Sequence, residues 1–242
     1  MSVSKPSHAA LHPGPGYRIR HRIERPDPEA CAEFSAFATP DVSDTMNRLY
    51  TMEAAIHALT GPHLRILGPA LTVKTYPGDN LMVHKALDIA EPGDVVVVDT
   101  GRDRRTAAMG DLVSTKARHR GVAGFVIDGM VRDLPGIIAL GDFPVYGTGV
   151  TPVGPLQRGP GEIGYPISCG GIVVHPGDLV VGDLNGVVVV PRASVPDILE
   201  RMRKRASKDL AYQEAVARGD FSNAWVDSIL DEGGVLHEDR PS

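Results

Sequence analysis

The run Gly121-Val-Ala-Gly-Phe-Val-Ile127 constrains this chain most. Its unbroken apolar character predicts a buried strand, and Asp128-Gly129 closes it as a turn. A helical pattern precedes it, from Gly110-Asp111-Leu112-Val113 through Ala117 to Arg120, and Arg132-Asp133 stands just beyond it. Twenty residues separate Asp111 from Arg132. That is the length of about one helix up and one strand back, so both ends are expected at the same sheet edge. Val95–Val98 is a second continuous β-branched run, which asks for cover on both faces. Strand and helix patterns alternate along the chain, giving an α/β class in which ligands collect beyond the strand ends.

The residue types at that edge define a chemistry. Asp111 and Asp133 are hard oxygen donors suited to Mg²⁺ or Mn²⁺ with retained waters. Arg132 offers a planar fork for a carboxylate. Gly110 to Val113 opens a helix, whose first amides lack intrahelical partners and favour an anion. Together they describe a pocket for a small 2-oxo acid. Spacing alone equally allows Asp111 as a helix cap and Arg132-Asp133 as a surface pair.

Composition narrows the field. The chain has 242 residues, 42% hydrophobic and 23% charged, with a formal net charge of −5. That is a globular chain long enough for a sizeable core. It carries no Lys/Arg block, so a basic nucleic-acid face is not expected. Cys31 and Cys169 make no disulfide framework and no metal spacing, and are expected as reduced thiols. No signal-peptide pattern and no apolar stretch of membrane-span length is visible, so a cytoplasmic protein without a membrane partner is expected. Gly-x-Gly-x-x-Gly, P-loop and Gly-x-Ser-x-Gly motifs are absent.

Met1–Gly16 reads as a tail and Tyr17–Glu24 as an added strand. Helices are expected from Pro28 and from Val42 through Tyr50, the second capped by Asp41 or Ser43. Ile66–Tyr76 is a strand with Gly68-Pro69 as its breaker. Pro77-Gly78-Asp79-Asn80 is a loop leading into a helix over Leu81–Ile89. Asn80 is placed to line a pocket, whereas His84 reads as a structural histidine. Arg102, Arg104 and Arg105 lie in a charged loop that either is solvated or meets a second substrate carboxylate. Asp178 and Asp183 read as turn formers. Ser194–Arg218 is a polar helix whose apolar stripe, Val195, Ile198, Leu199, Met202 and Leu210, is too sparse for an interior element.

Asp111, twenty residues, then Arg132-Asp133 resembles the signature of class II pyruvate aldolases, the 4-hydroxy-4-methyl-2-oxoglutarate / 4-carboxy-4-hydroxy-2-oxoadipate aldolases of the RraA-like superfamily. Pro77-Gly-Asp-Asn-Leu81, Gly121-Val-Ala-Gly124, Ile127-Asp-Gly129 and Gly182-Asp-Leu-Asn-Gly186 also fit. Gly147-Thr-Gly149 departs from the family, which often carries an Arg before the second Gly. The resemblance implies a three-layer β/β/α swivelling-domain fold over 28–192. It adds a mobile N-terminal arm over 1–27 and, over 193–242, a C-terminal helical extension packed on a neighbouring subunit of a homotrimer or homohexamer. It implies that Asp133 holds Mg²⁺ or Mn²⁺ directly and that Asp111 acts through water. Asp209 of a neighbouring subunit, or Glu214, would also act through water. Arg132 and the Gly110, Asp111, Leu112 and Val113 segment would bind substrate. The implied activity is cleavage of a 4-hydroxy-2-oxo di- or tricarboxylic acid to pyruvate and a 2-oxo acid, with oxaloacetate decarboxylation as a side reaction. A dedicated oxaloacetate decarboxylase and a non-catalytic ribonuclease regulator are the alternatives. Lys74, Lys85 and Lys116 are the nominal candidates for Schiff-base chemistry instead.

Overall fold

A computed structural model describes residues 8, 10–236 and 238, without the side chains of residues 207–209. The chain is a mixed α/β protein. In order it forms β1 (Tyr17–Ile19), α1 (Pro28–Glu33), α2 (Thr39–Thr45), β2 (His57–Ala58), β3 (Ile66–Thr75), α3 (Leu81–Ala86), β4 (Val95–Asp99) and β5 (Ala107–Met109). There follow α4 (Asp111–His119), β6 (Gly124–Asp128), β7 (Met130–Val131), α5 (Leu134–Ile138), β8 (Val145–Gly147), β9 (Gly149–Val150), β10 (Gly161–Ile163), β11 (Ile167–Cys169) and β12 (Ile172–Val174). The hairpin β13 (Leu179–Asp183) and β14 (Gly186–Val190) precedes α6 (Val195–Ala217) and α7 (Ala224–Glu232).

The two apolar runs sit side by side. β3, β4, β6 and β8 are parallel neighbours, with Val95 opposite Gly124 and Val98 opposite Ile127. Alternation along β4 then builds two cores. Val96 and Val98 meet Met82 and Val83 of α3 and Val113 and Ala117 of α4. Val95 and Val97 meet Ile167, Cys169, Val180, Val187 and Val189 of the β11–β14 layer. Two-sided burial of β-branched residues, worth roughly 1.5–3 kcal/mol per side chain, thus produces the β/β/α layering. Both cysteines are buried and unbridged.

Several expectations change in detail. Gly68-Pro69 does not break β3. It marks the change of partner, residues 66–69 pairing with β13 and residues 70–74 with β4, so the amide that Pro69 lacks is not needed by β4. Helix α2 starts earlier than expected. Its cap comes from Asp183, whose carboxylate accepts from the Thr39 amide at 3.0 Å and the Thr39 hydroxyl at 2.6 Å, while also closing its own turn through Asn185. The helix stops at Thr45, because Asn47 and Arg48 take positive φ.

Residues 17–27, grouped by the sequence with a mobile arm, are fastened: β1 pairs with β10, and Arg25 grips the buried Asp94 with two hydrogen bonds of 2.8 Å. The compact unit runs to Met202, beyond the boundary expected at 192. Val195, Ile198, Leu199 and Met202 are interior after all, covering the outer face of the β13–β14 hairpin beside Phe34, Val42 and Met46. Among the described residues no helix is long and apolar enough to cross a membrane.

The second unit, residues 203–242, leaves large apolar side chains exposed, among them Phe221, Trp225 and Ile229. Trp225 and Ile229 share one face of α7. Large exposed apolar patches are characteristic of interaction surfaces, and the multimer expected from the sequence can be tested on these residues. Light scattering should therefore give the wild type a mass of several chains, and Trp225→Glu with Ile229→Glu should lower it. A single-chain mass for the wild type would contradict this.

Candidate functional site

Two short strands outside the main sheet assemble the site. β5 and β7 are parallel partners with Met109 opposite Val131, and the Arg132 amide donates to the Met109 carbonyl at 3.0 Å. The residue after each strand is thereby set against the other: Gly110 against Arg132-Asp133. A Cβ built on Gly110 would lie 2.5 Å from Asp133 Oδ2 and 3.1 Å from Arg132 Cγ. Glycine at 110 is required by this close approach, since its own φ of −144° is open to any residue. Asp111 begins α4, and its side chain lies against Gly136 of α5. Asp133 adopts φ 53°, ψ 34° as it leads into α5. This left-handed conformation is uncommon for a residue other than glycine, though Asp tolerates it better than most.

All six predicted residues of this chain stretch line one cleft of about 570 Å³: Gly110, Asp111, Leu112, Val113, Arg132 and Asp133. Asn80, His84, Lys116 and Gln157 complete it. Asn80 is held by its loop. Buried Asp79 accepts from the amides of Leu81, Arg158 and Gly159 at 2.7–2.8 Å, and the Asn80 amide donates to the Leu156 carbonyl. The Asn80 Oδ1 is itself buried and accepts no hydrogen bond. His84 Nε2 lies 3.3 Å from Gln157 Nε2. Burial, and then the nearby charge of Lys116, push the His84 imidazole below the ordinary histidine range. Sequence reading missed Lys116 and Gln157 as lining residues and set His84 aside.

Arg132 Nε lies 3.1 Å from Asp133 Oδ2, both side chains being about half exposed. The Asp111 Oδ1 accepts from the Leu112 amide at 2.7 Å. Among the described residues the second oxygen of each carboxylate has no hydrogen bond or ion pair, and no group of three His, Cys, Asp or Glu is arranged to hold a metal. Two carboxylates form a hard, sparse donor set. It fits a cation that keeps most of its waters, as Mg²⁺ and Mn²⁺ do, and does not suit a tightly caged metal. The side chain of Asp209 lies outside the described residues. Glu214 falls in the second unit and is exposed.

The arginines considered for a second carboxylate do not line the cleft. Arg102 Nη2 pairs with Glu53 at 2.5 Å and Arg102 Nε approaches Asp128 at 3.5 Å; Arg104 Nη2 approaches Asp128 at 3.7 Å. Arg105 is an exposed loop residue. Asp128 is almost wholly buried at the end of β6, so these guanidiniums offset a charge that would otherwise be costly there.

The α/β sheet thus brings a helix N-terminus, two carboxylates and an arginine together in one cleft. Residues 39–189 match the RraA-like family, Aldolase/RraA, and the chain belongs to it. A Halalkalibacterium halodurans protein named "Putative 4-hydroxy-4-methyl-2-oxoglutarate aldolase" is 39% identical over 76% of this chain and 87% of its own length. An Ectopseudomonas mendocina protein of the same name is 33% identical over 66% and 99%. Among solved structures, Streptomyces coelicolor RraAS2, described as an unusual member of the RNase ES inhibitor RraA family, superposes with a TM-score of 0.69 at 30% identity, over 81% of this chain and 98% of that one.

Two outcomes test this geometry. In EDTA, the His84 imidazole should titrate by NMR below the ordinary histidine value. Lys116→Met should move its midpoint upward, and no movement would remove Lys116 from its surroundings. Gly110→Ala should displace Asp133 and lower kcat/KM on the order of 10²-fold, as misplacement near 1 Å does, with little change in Tm. Wild-type kinetics in that variant would show that the close approach has no functional weight.

Proposed function

We propose that the chain is a divalent-metal-dependent lyase that cleaves a 4-hydroxy-2-oxo di- or tricarboxylic acid to pyruvate and a second 2-oxo acid. The observation that carries the reading is the meeting of the α4 N-terminus with Arg132-Asp133 in one cleft. The aldolase names of the relatives support it. So does the presence of Asp111, Arg132 and Asp133 in one cleft, which a non-catalytic regulator has no need to assemble.

Asp133 would hold Mg²⁺ or Mn²⁺ directly, and Asp111 would hold its waters. When bound, the cation supplies Lewis acidity toward the substrate's 2-oxo oxygen. The guanidinium of Arg132 keeps its Nη groups for the adjacent carboxylate while Nε stays with Asp133. The Asp111 and Val113 amides at the start of α4, the Leu112 amide being taken by Asp111, would face the same anion and stabilise the charge that develops on the 2-oxo oxygen. Loss of the C4 hydroxyl proton to solvent in the cleft turns C4–OH into a carbonyl as the C3–C4 bond breaks. That electron pair forms the C2–C3 double bond of the pyruvate enolate, and a proton returned to C3 completes pyruvate. Oxaloacetate would give the same enolate by losing CO₂ from C4, as a side reaction. Lys74 and Lys85 pair with Asp99 and Asp88, which leaves Lys116 as the lysine facing the cleft.

Pyruvate release from 4-hydroxy-4-methyl-2-oxoglutarate should vanish in EDTA and return with Mg²⁺ or Mn²⁺. Asp133→Ala should abolish it, and Asp111→Ala should lower it severely. Arg132→Lys should lower kcat/KM at least about tenfold, the weight of a charge-assisted hydrogen bond of roughly 1.5–3 kcal/mol. Full turnover by Asp133→Ala, or in EDTA, would overturn the proposal.

A further inference from the structure

Lys116 is the cationic side chain in the cleft that the reaction leaves without a task. It lies on α4 five residues beyond Asp111, about 7.5 Å along the helix axis. It is exposed and lines the same cleft as Arg132. Among the described residues no carboxylate pairs with it, whereas Lys74, Lys85, Arg102 and Arg104 all have acid partners. An ammonium without a counterion, set away from the helix N-terminus that takes the first anion, suits a ligand that is anionic at both ends. Gln157, whose amide nitrogen approaches His84, adds a polar neighbour at that end.

We infer that Lys116 binds the distal carboxylate of the substrate and makes the cleft selective for 2-oxo acids that carry a second carboxylate. The inference rests on the lyase reading for its substrate class. The lowered basicity of His84, to which Lys116 contributes, is consistent with an ammonium whose field reaches into the cleft. Arginine in its place keeps the charge, while methionine keeps much of the length without it.

The test compares matched acids. Pyruvate release is measured from 4-hydroxy-2-oxoglutarate and from 4-hydroxy-2-oxopentanoate, which ends in a methyl group. The enzymes are the wild type, Lys116→Met and Lys116→Arg, with Mg²⁺ present. The wild type should prefer the diacid. Lys116→Met should lose about tenfold to hundredfold of that preference, mainly through KM, and Lys116→Arg should restore part of it. An unchanged preference in Lys116→Met overturns the inference. So does an equal loss on both acids, which would put Lys116 in the chemistry, and borohydride trapping of a Lys116 adduct would say the same. Calorimetry of 2-oxoglutarate against 2-oxopentanoate on the same proteins separates the two readings. If the wild type cleaves neither hydroxy acid, the lyase reading fails, and binding alone decides Lys116. A diacid preference that Lys116→Met abolishes upholds the subsite, and equal binding of both acids overturns it.

Discussion

The hydrogen bond from the Arg132 amide to the Met109 carbonyl, at 3.0 Å, is the contact on which the site depends. It extends the Met109–Val131 pairing by one residue and sets the opening of α4 against Arg132-Asp133. The rest of the fold supports that contact. β4 and β6 lie in parallel register in the main sheet, and each leads through a loop or turn into one of the two short strands. Cores on both faces of β4 hold those strands in place.

Electrostatics divides four cationic side chains near this sheet edge between two places. Arg102 and Arg104 serve the buried Asp128 and Glu53, while Arg132 and Lys116 face the cleft. The cleft holds two carboxylates against these two cations, so a bound divalent cation would tip it toward net attraction for a di- or trianion. Asp133 is held in a left-handed conformation that costs of order 1–3 kcal/mol. Its position between β7 and α5 maintains it. Conformational cost at the residue proposed to anchor the metal is what a preorganised site requires.

The legible parts of the fold were those with long patterns. The apolar runs at Val95–Val98 and Gly121–Ile127 revealed the parallel sheet, and the Asp111 to Arg132 spacing anticipated that these residues share one cleft. The short parallel sheet of β5, β7 and β9 was not legible, because strands of two or three residues have no periodicity to read. Lys116 was weighed only as a Schiff-base candidate, since its place in the cleft depends on how α4 faces α3 and the 155–157 segment. Helix α6 misled by averaging. One face of its first two turns is buried and the following residues are strongly charged, so the whole helix looked too polar for the interior. The cap of α2 came from Asp183, far along the chain and beyond any local signal.

The central claim is that Arg132, Asp133 and the α4 amides form one site for a hard cation and a small oxo-acid together. Oxalate, a planar dianion resembling the pyruvate enolate, probes that claim without catalysis. Isothermal calorimetry of oxalate should show tight binding with Mg²⁺ or Mn²⁺ present, strong weakening in EDTA, and loss in Asp133→Ala even with metal. Oxalate binding of equal strength with and without metal, or undiminished in Asp133→Ala, would contradict the account.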